Sequence, residues 1–280
     1  MMIKELKPYY VDGDITIYHG NCLETMSQLP DESVDMILTD PPYNISQKNR
    51  KIDRTKIQNK NLRRNGKRSK ELNYDFGNWD QFDSRESFLE WTELWVRECF
   101  RLLKPTGNFV SFFGKSEISY FEDIINKYGF VRQTIVWHKT NPVPQIFKVG
   151  FMSAVEFMTW ATKQKGAKHT FNYQLGQHHN FVETSICMGK ERTEHPTQKP
   201  IKAVDWLLLY LSNKGDVILD PFMGSGTTLV VAKMFNRKAI GIEIDEKYCQ
   251  IAVNRLKYGN GYNVKLLYDK TGLFLKEDLL

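Results

Sequence analysis

The chain has only four cysteines in 280 residues, and they are scattered: Cys22, Cys99, Cys187 and Cys249 form no Cys-x-x-Cys pair. This argues against a disulfide framework and against a metal site, so packed, free thiols in a reducing compartment are expected. Long apolar runs are also lacking. The longest, Trp206 to Leu211, falls far short of the roughly 20 residues that cross a bilayer. The first residues, Met1-Met2-Ile3-Lys4-Glu5, hold no apolar signal core. No glycine-rich turn ends in Gly-Lys-Ser or Gly-Lys-Thr, which disfavours a phosphate-cradling P-loop. Internal repeats and a clear linker are missing too. These absences predict one cytoplasmic domain, residues 1–280, with no membrane partner and no metal.

What is present is more specific. Hydrophobic residues make up 41% of the chain, enough for a sizeable core. The net charge of +6 is unevenly spread. Between Lys48 and Lys70 stand eleven Lys or Arg residues and one acid, Asp53, a local +10 that leaves about −4 for everything else. Such a run can be a solvated loop. Its place, directly after Tyr43, makes a polyanion partner the functional reading.

Strand-like and helix-like segments alternate, which predicts α/β with a mainly parallel sheet. Strands are expected at 14–19, 34–39, 108–113, 131–138, 154–161, 216–219 and 239–242. Helices are expected at 23–28, 82–103, 116–128, 201–211, 227–235 and 245–257, with Lys104-Pro105-Thr106-Gly107 stopping the second. Residues 139–199, holding Pro142, Pro144 and Pro196, read as loops around a single strand. Two long insertions in one domain are the expected organisation, the basic one spanning 44–80.

Two motifs carry chemistry. The apolar run Val34 to Thr39 ends in Asp40-Pro41-Pro42-Tyr43, which brings a carboxylate, a stiffened backbone carbonyl and an aromatic face to a strand end. The lone pair of adenine N6 is delocalised into the ring. Acceptors at Asp40 and the Pro41 carbonyl would each take one N6–H and steer that lone pair, while Tyr43 stacks on the base. Downstream, strand 216–219 runs into Asp220-Pro221-Phe222-Met223-Gly224-Ser225-Gly226-Thr227, a βα nucleotide-type turn. Glu243, at the next strand tip, suits two ribose hydroxyls. Asp220 at the loop mouth would oppose a pyrophosphate but suits an ammonium, which favours S-adenosylmethionine over NAD.

With these residues the chain resembles the beta-class amino-methyltransferases of DNA found in bacterial restriction-modification systems and as solitary enzymes. Four blocks match in order: Asp40 to Tyr43, Trp137 to Pro142, His195-Pro196-Thr197-Gln198-Lys199-Pro200, and Asp220 to Thr227. The resemblance implies a Rossmann-like S-adenosylmethionine-dependent methyltransferase fold: a mostly parallel sheet with helices on both faces, the catalytic half preceding the cofactor half. It implies catalysis by Asp40, Pro41, Pro42 and Tyr43. It puts Thr197, Gln198 and Lys199 near the methionine end of the cofactor, and Asp220, Phe222, Gly224, Ser225, Gly226 and Thr227 in its main loop. Glu243 goes to the ribose, with Asp40 lining the same site. Where relatives often carry an acid after a glycine, Gly20 is followed here by Asn21 and Cys22, the counterparts in cofactor contact. Target recognition is expected in 141–194, where Lys163, Lys165, Lys168, His178, His179 and Arg192 lie. DNA, double- or single-stranded, is the implied partner; a homodimer and a separately encoded restriction endonuclease are compatible with the family.

Rival readings stay open on sequence alone. Cytosine N4 poses the same electronic problem, although that branch more often has Ser in place of Asp40. Protein glutamine methylation goes with Asn-Pro-Pro-Tyr, and RNA is not excluded by the motifs. A non-catalytic DNA-binding subunit would show damage at Asp40, Tyr43, Asp220 or the glycines, and none is seen.

Overall fold

The computed structural model describes residues 6–44, 82–144 and 149–258. These fall into two compact units, one built from residues 1–41 and 89–280, the other from 42–88. In the smaller unit, Ser84 and Ser87 exchange backbone-to-side-chain bonds of 3.2 and 3.0 Å, a reciprocal cap at a helix start. The rings of Phe82 and Phe88 meet edge to face, 5.1 Å apart. The basic run 48–70, and nearly all of the 44–80 insertion, lie outside the described residues.

The larger unit contains one sheet. Among the described residues its strands are β1 (Tyr10–Asp12), β2 (Ile15–His19), β3 (Val34–Thr39), β4 (Leu103–Phe113), β5 (Phe130–Lys139), β6 (Val155–Thr162), β7 (Phe181–Thr184), β8 (Val217–Asp220) and β9 (Lys238–Glu243). The helices are α1 (Cys22–Met26), α2 (Arg85–Leu102), α3 (Ile118–Tyr128), α4 (Ile201–Leu211), α5 (Thr227–Met234) and α6 (Glu246–Tyr258). Their order across the sheet is β1-β2-β9-β8-β3-β4-β6-β5-β7, with parallel pairing from β2 through to β4. β6 is antiparallel to both of its neighbours. The mostly parallel α/β sheet expected from sequence is present.

β3 reads as a continuous apolar run because it is central and covered on both faces; Val34, Met36, Ile37 and Leu38 are all buried. Aromatic packing ties α2 and α3 to β4: Trp95 stacks near Phe109, and Phe113 lies parallel to Phe121 at 3.9 Å. The Lys104–Gly107 stop is real but more compact than expected. α2 ends at Leu102 and β4 begins at once, Val34 facing Leu103 and Met36 facing Asn108, so the intervening residues bulge from the ladder. A Cβ at Gly107 would sit 2.6 Å from Leu103 Cγ and 3.0 Å from the Asp35 carbonyl, so the bulge requires glycine.

The 139–199 region contains more than the single expected strand. β7 pairs in parallel with β5, and two 3₁₀ turns cover 173–175 and 189–191. β7 is four residues long and mostly exposed, too short and too mixed to show a period. All four cysteines are buried and free. No described helix is long and apolar enough to cross a membrane.

Candidate active site

The two sequence motifs, far apart in the chain, meet because β3 and β8 are neighbours. Met36 faces Ile218 and Ile37 faces Leu219, so Asp220 comes level with Leu38, and Asp40 emerges two residues further along at the same C-terminal edge. From β3 the sheet continues to β4 on one side; from β8 it continues to β9 on the other. This is a topological switch point, where open α/β sheets leave a crevice for ligands. The Thr39 hydroxyl donates to Asp220 Oδ1 at 2.7 Å and joins the two motifs.

The loop after β8 is shaped by backbone bonds. Phe222 N donates to Asp220 Oδ1 at 3.1 Å, and Gly224 N donates to Glu243 Oε2 at 2.9 Å. Asp245 N takes the other oxygen of Glu243 at 2.8 Å. Gly224 and Gly226 adopt φ of +49° and +76°, and Gly226 starts α5. Added Cβ atoms would fall 2.7 Å from His195 Nε2 and 2.7 Å from Ala252 Cβ respectively. The glycines thus let the loop close on the His195-to-Pro200 block and on α6. Phe222 packs against Trp91 and Trp95.

Both acids are unusual. Burial pushes Asp220 up to about 6, against the hydrogen bonds of Thr39, Thr228 and Phe222. Burial likewise pushes Glu243 up to about 7, with backbone donors from Asp245 and Gly224 working the other way. Among the described residues no cation pairs with either carboxylate. Burial drives His195 down to about 3, helped by the nearby charges of Lys199, Arg192 and Arg255, so its imidazole is neutral near pH 7.

The residues expected to hold a cofactor lie around this edge in different ways. Gly20 N donates to the Glu243 carbonyl at 2.9 Å, which sets Asn21 and Cys22 beside the β9 tip. The Asn21 side-chain oxygen caps α1, accepting from Leu23 N and Glu24 N. Gln198 turns inward: its carboxamide bonds Glu191 O, Thr193 N and the Thr193 hydroxyl. Thr197 is half-buried and precedes it. Lys199 reaches the Asp40-Pro41-Pro42-Tyr43 motif itself, its Nζ bonded to Asp40 Oδ2. Pro41 closes this part of the larger unit, and Pro42 and Tyr43 begin the smaller one.

Two side chains at the site, Arg255 and Glu156, went unnoticed in the sequence. Arg255 on α6 donates to Ser225 O at 2.7 Å and to the hydroxyls of Ser225 and Thr227, each at 3.0 Å. The Thr227 hydroxyl in turn donates to Lys199 O at 3.0 Å, so Arg255 braces both blocks from behind. Glu156 and Lys139 form an ion pair of 2.6 Å beside Lys199. A lone acid between apolar residues of a core strand was the only local sign of Glu156. Of the basic residues expected in target recognition, Lys163 is bound instead to Glu32 and the Leu103 carbonyl, and His178 stacks on Trp206.

Comparison with known proteins bears on this geometry. A family model described as DNA methylase, of the N6/N4 type, matches residues 34–254. The chain is 36% identical over 257 residues to the Type II methyltransferase M.HinfI of Haemophilus influenzae, covering 86% of this chain and 68% of that one. It is 34% identical over 268 residues to the Type II methyltransferase M2.DpnII of Streptococcus pneumoniae, covering 92% and 95%. The crystal structure of the M1.HpyAVI–SAM complex superposes with a TM-score of 0.65 at 30% identity, over 86% of this chain and 98% of that one. The cytosine-N4-specific PvuII DNA methyltransferase, 19% identical, shares the fold with a TM-score of 0.66 over 95% and 93%.

Proposed function

The chain belongs to the N6/N4 family of DNA methylases and is an S-adenosylmethionine-dependent DNA methyltransferase, and from that premise we propose that its acceptor is the N6 amine of an adenine turned out of the DNA stack. The observation that carries this reading is the Asp40 carboxylate, placed just past the end of β3 and bonded by the Lys199 ammonium. Asp40 and the Pro41 carbonyl accept the two N6–H bonds, which polarises the amine and directs its lone pair. Tyr43, in the same motif, supplies a stacking face. Extracting the base from a duplex costs a few kcal/mol.

The cofactor fits the residues present. Two buried carboxylates that pair with no cation among the described residues, Asp220 and Glu243, suit a ligand bearing an ammonium and ribose hydroxyls. Phe222, Gly224, Ser225, Gly226 and Thr227 would form its cradle, with Asn21, Cys22 and Thr197 alongside. Bound there, S-adenosylmethionine supplies an electrophilic methyl group on sulfur for direct transfer to the amine. The protein's share is positioning and electrostatics, with no covalent enzyme intermediate. Action on DNA agrees with a cytoplasmic protein, and the Type II relatives support a separately encoded endonuclease as partner.

The test is transfer of labelled methyl from S-adenosylmethionine to unmethylated genomic DNA, followed by nucleoside analysis. N6-methyladenine is the expected product. N4-methylcytosine would replace the acceptor, and unlabelled DNA would overturn the reading.

A further inference from the structure

The Lys199 ammonium lies between two carboxylates at the C-terminal edge of the sheet. On one side Asp40 follows β3; on the other Glu156, in β6, places Oε2 3.3 Å from Lys199 Nζ. β4 runs between those strands, and its Phe112 ring centroid is 4.9 Å from Nζ. Glu156 is anchored through its other oxygen, which pairs with Lys139 at 2.6 Å. Its Oε2 is shut off from solvent, and the approach of Lys199 at 3.3 Å is a loose contact beside the direct bond that Lys199 makes to Asp40. A buried carboxylate oxygen left with so loose a donor is costly, so its placement requires a reason.

The reaction supplies that reason. An amine that is to donate to Asp40 needs an available carboxylate, and its nitrogen gains positive charge as the methyl group arrives. An ammonium held on Asp40 occupies Oδ2 and repels that developing charge. At 3.3 Å the Glu156 carboxylate is already within reach of the ammonium, which needs only to turn toward it. We propose that Glu156 is a positioning residue: it takes over the Lys199 ammonium when an exocyclic amine engages Asp40, while Lys139 holds Glu156 in place.

No proton moves in this exchange; one ammonium passes from one carboxylate to the other. Burial alone would make Lys199 give up its proton, but Asp40 and Glu156 more than offset it and hold the ammonium above its ordinary value. Glu156 likewise stays ionised: burial opposes this, and Lys199 and Lys139 outweigh it.

The inference rests on Asp40 receiving an exocyclic amine, which wild-type transfer tests by itself; the hand-over is read from variants relative to wild type. Single-turnover methylation of unmethylated genomic DNA and S-adenosylmethionine binding are measured for Glu156→Gln, Glu156→Asp and Lys199→Gln. Glu156→Gln is expected to slow transfer at least tenfold with cofactor Kd nearly unchanged and some loss of melting temperature, because Lys139 and Lys199 lose a buried partner, and Glu156→Asp to recover part of the rate. In the Lys199→Gln background, Glu156→Gln should have no further effect. Wild-type rate in Glu156→Gln, an additive loss in the double variant, or a fall in cofactor binding parallel to the fall in rate would each overturn the proposal. Transfer to cytosine instead of adenine would change the acceptor and leave the hand-over standing, because N4 is also an exocyclic amine.

Discussion

The Thr39 hydroxyl donates to the buried carboxylate of Asp220 at 2.7 Å, so the last residue of β3 is fastened to the last residue of β8. Removing this donor should weaken cofactor binding without touching the loop's sequence. A hydrogen bond to a charged group contributes about 1.5–3 kcal/mol. Thr39→Val is therefore expected to raise the Kd for S-adenosylmethionine roughly tenfold near pH 7 by calorimetry, since about 1.4 kcal/mol is tenfold. Loss of the donor pushes Asp220 further up, so the deficit should shrink at higher pH. An unchanged Kd would detach Asp220 from the cofactor.

The pH dependence follows from the two buried acids. Asp220 rises from 3.8 to about 6 and Glu243 from 4.5 to about 7, so each binds its proton more tightly in the folded chain. Their contribution to stability is full below the unfolded values and is lost as pH climbs through about 6 and about 7. A cationic cofactor reverses that cost because it favours the ionised forms. S-Adenosylmethionine affinity should rise between pH 5.5 and 7.5, measured as Kd against pH, and Glu243→Gln should remove the upper part of the rise.

Gly224→Ala should damage the loop on two counts. Its φ of +49° costs an L-residue about 1–2 kcal/mol, and the new methyl would lie 2.7 Å from His195 Nε2. Cofactor binding should fall more than tenfold. Adding His195→Ala should restore part of it, because the clash goes and the backbone strain remains. The double-variant Kd separates the two terms; no recovery would show that the clash is not what matters.

Neutralising Lys and Arg residues within 48–70 should weaken DNA binding and flatten its salt dependence. Each lost phosphate contact reduces the slope of log K against log salt by about 0.9. The readout is Kd for duplex DNA at several salt concentrations, and an unaltered slope would remove this run from the DNA interface.

What could be read in advance followed from local pattern. β3 was legible because a strand buried on both faces is an unbroken apolar run, and the 220–226 turn because glycines follow a strand and precede a helix. β1 and β7, three and four residues long, have no period to detect. Lys199 was placed by resemblance near the cofactor, but its bond to Asp40 emerged only from the fold. Arg255, Glu156 and Lys139 act through partners distant in sequence, and no spacing rule reports such pairs. Thr39, read only as the end of a strand, proved to be the link between the two motifs.

The central claim is that Asp40 acts on the acceptor amine and not on cofactor capture. The most direct test is Asp40→Asn and Asp40→Ala, each measured for S-adenosylmethionine binding by calorimetry and for N6-methyladenine formation in a single turnover. The variants should bind cofactor within a few-fold of wild type and form almost no N6-methyladenine. Some loss of melting temperature is expected in Asp40→Ala, where Lys199 loses a buried partner. Wild-type methyl transfer in either variant would contradict the account.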